Sequence, residues 1–144
     1  MKIIEQEEVR KLLQPKDCIQ LMAEALKGLE SGEYAQPARL ITVMPNTAKF
    51  GFMPAYVGDY FGAKVISAFA PNMGTKYPSH IGYVMLFESA HSTVAGMIEA
   101  GSITEIRTGA VSAAATDLLA RKDSHKLALI GAGAQARSHL AAIR

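Results

Sequence analysis

A single cysteine, Cys18, and no tryptophan occur among the 144 residues. A lone thiol permits no internal disulfide, so folding needs no oxidising compartment. Neither sign of charge dominates: 15 Lys and Arg stand against 13 Asp and Glu, a net charge of +2. That balance excludes a domain held to nucleic acid by bulk electrostatics. No run of about eighteen uncharged apolar residues exists, and the opening MKIIEQEEVRKLLQ is charged almost from its start, so neither a membrane span nor a signal peptide is expected. The four histidines, His80, His91, His125 and His139, lack ligand spacing and have no second cysteine beside them, which predicts no protein-bound metal. What is present is a 49% hydrophobic composition, too apolar for disorder and sufficient for a core. The expectation is a soluble, cytoplasmic globular chain.

Ile19, Met22, Ala23, Leu26 and Leu29 recur at helical spacing within residues 16–32, with Asp17 near the start and Gly32 past the end. A shorter helical segment over residues 7–13 precedes it, and Pro15 suits the first turn of the longer helix. The N-terminus therefore reads as helical. From Ala38 to Glu99 five apolar, β-branched runs (RLITVM, FGFMPAYV, AKVISAF, GYVMLFE, TVAGMIE) alternate with turn sequences. Spacings this short leave no room for crossover helices, which predicts a largely antiparallel sheet with a helix on one face. Residues 102–120 return to a helix, with Ser102 and Glu105 spaced as a capping box and a middle made small by Gly109, Ala110, Ala113 and Ala114. Small residues there allow another backbone to approach. The polar break RKDSHK follows, a fitting place for a domain boundary.

Beyond the break, Leu127 to Ile130 predict a buried parallel strand. Gly131-x-Gly133-x-x-Ala136 comes next and runs into a helix. Strand, glycine turn and helix in this order form a dinucleotide-binding fingerprint. Gly131 makes the turn, Gly133 admits the pyrophosphate, and Ala136 lets helix pack on strand, while the N–H groups of Ala134 and Gln135 face phosphate. The acidic residue that would distinguish NAD from NADP is expected about 20 residues further on, beyond Arg144. One strand and one helix cannot make a sheet covered on both faces, so the expectation is the first βα unit of a truncated nucleotide domain.

Three cations stand where solvation alone explains them poorly: Arg39 before the run LITVM, Lys64 inside AKVISAF, and Arg107 near the N-terminus of a helix, where the dipole disfavours positive charge. Arginine offers a bidentate fork to a carboxylate, and lysine a compact charge or a proton-transfer group. A surface or ion-paired role accounts for each one singly.

The ordered pieces FMPAY, AKVISAFAPN, PSHIGYVMLFE, ITEIRTGAVSAAATDLLAR and LALIGAGAQA resemble the N-terminal part of the ornithine cyclodeaminase/mu-crystallin family across nearly the whole chain. The resemblance implies an α+β domain at residues 1–121 for substrate binding and homodimerisation, leading at residues 122–144 into an α/β Rossmann domain that binds NAD or NADP. It implies Arg39, Lys64 and Arg107 at the carboxylate of a small amino or imino acid, with Lys64 also in catalytic proton transfer. Thr108, Gly131, Gly133, Ala134 and Gln135 would meet the cofactor phosphates. The implied reaction removes a hydride from the amine-bearing carbon, in ornithine cyclisation, ketimine reduction or alanine dehydrogenation; the catalytic aspartate would lie beyond Arg144. Ornithine-processing members carry an acidic residue two positions before Met-Pro, where this chain has Gly51, which weakens ornithine specificity. A nucleotide-dependent small-molecule binding protein of mu-crystallin type, or a non-catalytic dimerising fragment, is the alternative reading.

Overall fold

The computed structural model describes residues 1–143, which form one six-stranded sheet, four α-helices and a short 3-10 turn at Ala70–Asn72. In chain order the elements are β1 (Lys2–Ile4), α1 (Gln6–Leu12), α2 (Pro15–Ser31), β2 (Leu40–Val43), β3 (Lys49–Val57), β4 (Tyr60–Ala68), β5 (His80–Glu88), β6 (Val94–Glu99), α3 (Ala100–Leu119) and α4 (Ala134–Ile143). The sheet order is β1-β6-β5-β4-β3-β2, and every pairing is antiparallel except β1 with β6. The largely antiparallel sheet and its covering helices are as the sequence predicts.

Helix α2 begins with Pro15 in its first turn and stops at Gly32, which takes the left-handed conformation at φ 79°. Its buried Cys18 and the apolar stripe of Met22, Leu26 and Leu29 face α3 and the sheet. Directly opposed residues in the antiparallel ladders share a face, so Met53, Lys64 and Val84 form one row beneath the helices. The neighbouring row, Phe52, Val65 and Tyr83, lies on the other face. That face is open among the described residues: Leu40, Phe50, Phe52, Tyr56, Ile81 and Ile3 are all exposed.

Pro54 lies mid-strand in β3, where a missing N–H ordinarily breaks a ladder. Strand β2 begins opposite Phe52, and among the described residues the chain before it touches the β3 edge only at the Ala35–Tyr56 bridge. Pro54 therefore lacks its donor on a stretch of edge that is already unpaired. Residues 36–39 bow away from the sheet there, which frees Arg39 to turn under the helices.

The structure corrects three local expectations. The N-terminus opens with a strand, β1, parallel to β6 with Ile4 opposite Ile98; three residues are too few for periodicity, and their partner is most of the chain away. Helix α3 is capped by Glu99, whose carboxylate accepts from the backbone N–H groups of Gly101 and Ser102. Glu105 instead pairs with Arg10 at 2.7 Å, and the buried Ser102 hydroxyl has no partner. Residues 127–130 form no strand and are exposed, Ile130 completely so. A strand requires a neighbour to bond, and among the described residues this segment has none. The helix that follows it, α4, does form.

Candidate functional site

Arg39, Lys64 and Arg107 converge on one cavity of about 660 Å³ between the sheet, α2 and α3. Each arrives from a different element. Lys64 stands at the centre of β4, between Met53 and Val84. Arg39 comes from the segment released beside Pro54. Arg107 and Val111 lie one turn apart on the inner stripe of α3.

Lys64 Nζ donates to Thr104 Oγ1 at 3.3 Å, one turn before Arg107 on α3. Among the described residues none of the three cations forms an ion pair. Burial lowers the pKa of Lys64, and the positive charges of Arg107 and then Arg39 lower it further. Cys18, fully buried on α2, is raised by burial, an effect that Arg107 partly opposes. Three unpaired cations sharing one cavity are mutually unfavourable until an anion enters.

The opposite stripe of α3 serves a different contact. Arg107 and Gly109 lie about 200° apart around the helix. A Cβ at Gly109 would stand 2.6 Å from the backbone carbonyl oxygen of Ser138, so only glycine lets α4 come this close. Ser112 Oγ lies 2.9 Å from His139 Nε2, and His139 Nδ1 lies 2.6 Å from the Gln135 carbonyl. A carbonyl that near assigns the proton to Nδ1, and the Ser112 hydroxyl then donates to Nε2. Helix α3 thus bears the cavity on one side and on the other locks the helix that follows the glycine turn.

In that turn Gly131 has φ 108°, and the space where a Cβ would stand is open at both Gly131 and Gly133. The first intrahelical bond runs from the Arg137 N–H to the Gly133 carbonyl, so the N–H groups of Ala134 and Gln135, both exposed, have no acceptor within the helix. Free donors on an exposed helix start, with open space above two glycines, fit a pyrophosphate. Thr108 does not line the cavity, and its hydroxyl donates to the Thr104 carbonyl at 2.6 Å.

Sequence reasoning missed Thr104, the partner of Lys64, and the wall that α2 gives the cavity. Thr104 carried no signal, because only tertiary contact sets it against Lys64; the α2 stripe was visible but could not be told from ordinary core. His80 begins β5 exposed and bonded only to Ser79, while His91 and His125 are exposed in loops. Among the described residues no cluster of His, Cys, Asp or Glu could hold a metal, and no helix is long and apolar enough to cross a membrane.

The ornithine cyclodeaminase/mu-crystallin family model matches residues 1–144. The chain belongs to that family. The ketimine reductase mu-crystallin of Mus musculus is 36% identical over 121 residues, 82% of this chain and 38% of the relative. Thermococcus litoralis Δ1-pyrroline-2-carboxylate reductase, solved with NADH and L-proline, superposes with a TM-score of 0.91 at 32% identity over 99% of this chain and 45% of that one. An archaeal alanine dehydrogenase dimer with bound NAD gives a TM-score of 0.93 at 27% identity, over 98% and 44% of the two chains. The chain therefore spans less than half the length of the family members it matches.

Proposed function

We propose that this chain is the substrate-binding part of an NAD(P)-dependent oxidoreductase that interconverts small amino and imino acids. The observation that carries the reading is the set of three unpaired cations in one cavity, backed by the reactions for which the relatives are named, ketimine reduction and alanine dehydrogenation among them. Arg107 and Arg39 grip the substrate carboxylate, and guanidinium forks hold it in one orientation. Lys64 completes the clamp, and its lowered pKa equips Nζ to take or give a proton at the substrate nitrogen. When bound, NAD(P) supplies the hydride acceptor or donor. Gly131, Gly133, Ala134 and Gln135 would hold its pyrophosphate, and Thr108 would contribute a hydroxyl to the same phosphates.

Residues 1–121 act as the substrate and dimerisation domain, and residues 122–144 open the nucleotide domain, where residues 127–130 become a strand once neighbouring strands pair with them. Two copies associate through the open apolar sheet face to form a homodimer. The single unpaired thiol suits a cytoplasmic enzyme.

The test is the whole protein incubated with NADH or NADPH and a panel of cyclic imino acids, and with NAD or NADP and the matching amino acids. Nicotinamide absorbance changes are expected with at least one substrate, and Arg107→Ala should abolish most of the signal. No change across the panel, with correctly folded protein, refutes the reading.

A further inference from the structure

The cavity is elongated, and its two ends differ chemically. Along β3 and β4 it runs from the Met53–Lys64 pair past Ala55–Gly62 to Val57–Tyr60, about 13 Å of strand. The three cations occupy the Lys64 end. In the middle Ala55 and Gly62 form a low floor. Met22, Leu26 and Leu29, at i, i+4 and i+7, form a roof along α2; Leu86, opposite Gly62, walls the middle, and Val57 lies at the far end. Tyr34, Gln36 and Tyr60 are the neutral polar groups of the lining, and among the described residues no Asp or Glu lines it.

We propose that this cavity selects carboxylates whose far end is apolar and uncharged, and rejects diamino acids carrying a distal ammonium. The proposal rests on the carboxylate-clamp reading above and names the substrate class of that site. A carboxylate seated at Arg39, Lys64 and Arg107 directs its side chain over the Ala55–Gly62 floor and beneath Met22, Leu26 and Leu29. An apolar side chain gains by leaving water there. A distal ammonium loses hydration against aliphatic carbon, finds no carboxylate in the lining among the described residues, and shares one cavity with three positive charges. Glu88, opposite Tyr60 on this face, is outside the lining and already accepts from the His91 and Thr93 N–H groups and the Thr93 hydroxyl. The repulsion is already felt within the site, since Arg107 and Arg39 destabilise the charged form of Lys64.

Position 51 does not supply the discrimination. Gly51 is buried beside Ile41 and Ile66, outside the cavity lining, so the uncharged roof and end wall determine specificity.

The experiment compares kcat/KM of the whole protein for alanine, valine, leucine and proline, or their imino acids, with that for ornithine, lysine and 2,4-diaminobutyrate. Calorimetric titration of the same compounds without nucleotide gives binding independent of turnover. The neutral apolar set should be favoured by at least about tenfold in both measurements. Leu26→Glu, on the half-exposed roof, should move the ratio toward ornithine by a similar factor. A wild-type preference for diamino acids overturns the proposal and leaves the carboxylate clamp standing. An unchanged ratio in folded Leu26→Glu, confirmed by circular dichroism, overturns the assignment of the roof. If no carboxylate is bound or turned over, the clamp itself fails.

Discussion

Lys64 has lost part of its hydration at the centre of β4, and two arginines face the same cavity with no carboxylate paired to any of them among the described residues. Its protonated form is the one that binds an anion. Carboxylate affinity should therefore be steady at low pH and fall as pH rises through the lowered Lys64 pKa, earlier than the ordinary lysine range. Titrating Kd against pH checks this, and Lys64→Met should remove the step. Stability of the unliganded protein moves the other way. A lysine whose folded pKa lies below its unfolded value of about 10.4 adds stability as pH rises between the two, because the unfolded chain then holds the extra proton. Arg107→Ala in the whole protein should lower kcat/KM by about 2–4 kcal/mol through loss of a charge-assisted bidentate contact. Arg107→Lys should recover only part of it, since the charge returns without the fork. Unchanged steady-state kinetics in Arg107→Ala would exclude a clamp at this position. These side chains were recognisable from sequence as cations in unfavourable places. Their convergence was implied only by the family resemblance and not by any pattern of the residues themselves, because residues 39, 64 and 107 meet only after the edge of β3 opens at Pro54 and α3 folds back across the sheet.

Helix α3 is the element on which the site turns. It follows β6 without a loop and starts beneath the Glu99 carboxylate. Glu99→Ala should destabilise the protein by about 1 kcal/mol, read from chemical denaturation, as loss of a cap does. Ser102→Ala should leave stability unchanged or raise it, because the hydroxyl removed is buried and unpartnered. The opposite ranking would restore Ser102 as the cap. Ser-x-x-Glu spacing suggested a capping box from sequence, but strand β6 runs directly into the helix, so the helix starts earlier and the residue at its true start holds the free N–H groups. On the outer stripe of α3, Gly109→Val should displace α4, since the added carbons would strike the Ser138 backbone. Hydrogen exchange along residues 134–143 should rise, and the Ser112–His139 contact should be lost. The small-residue middle of α3 was legible in sequence as a place of close approach; which helix would use it was not.

At the scale of the whole molecule, one sheet face carries helices and the cavity, and the other exposes Leu40, Phe52, Ile81 and their neighbours. An exposed apolar face of this kind marks an interaction surface. Analytical ultracentrifugation should find a dimer, and Phe52→Glu should weaken association by about 2 kcal/mol or more by placing a charge at the centre of the contact. A wild-type monomer would refute self-association through this face. Sequence alone determined the alternation of helices and strands, the direction of most pairings and the glycine turn before α4, because periodicity, turn chemistry and short connections are local properties. Only the tertiary structure decided the rest. It set β1 beside β6, chose Glu99 as the cap, gave residues 127–130 no strand partner among the described residues, and gathered Arg39, Lys64 and Arg107 around one cavity with an apolar far end. Each of these depends on which distant segment is present to bond, bury or repel, and no local pattern encodes that.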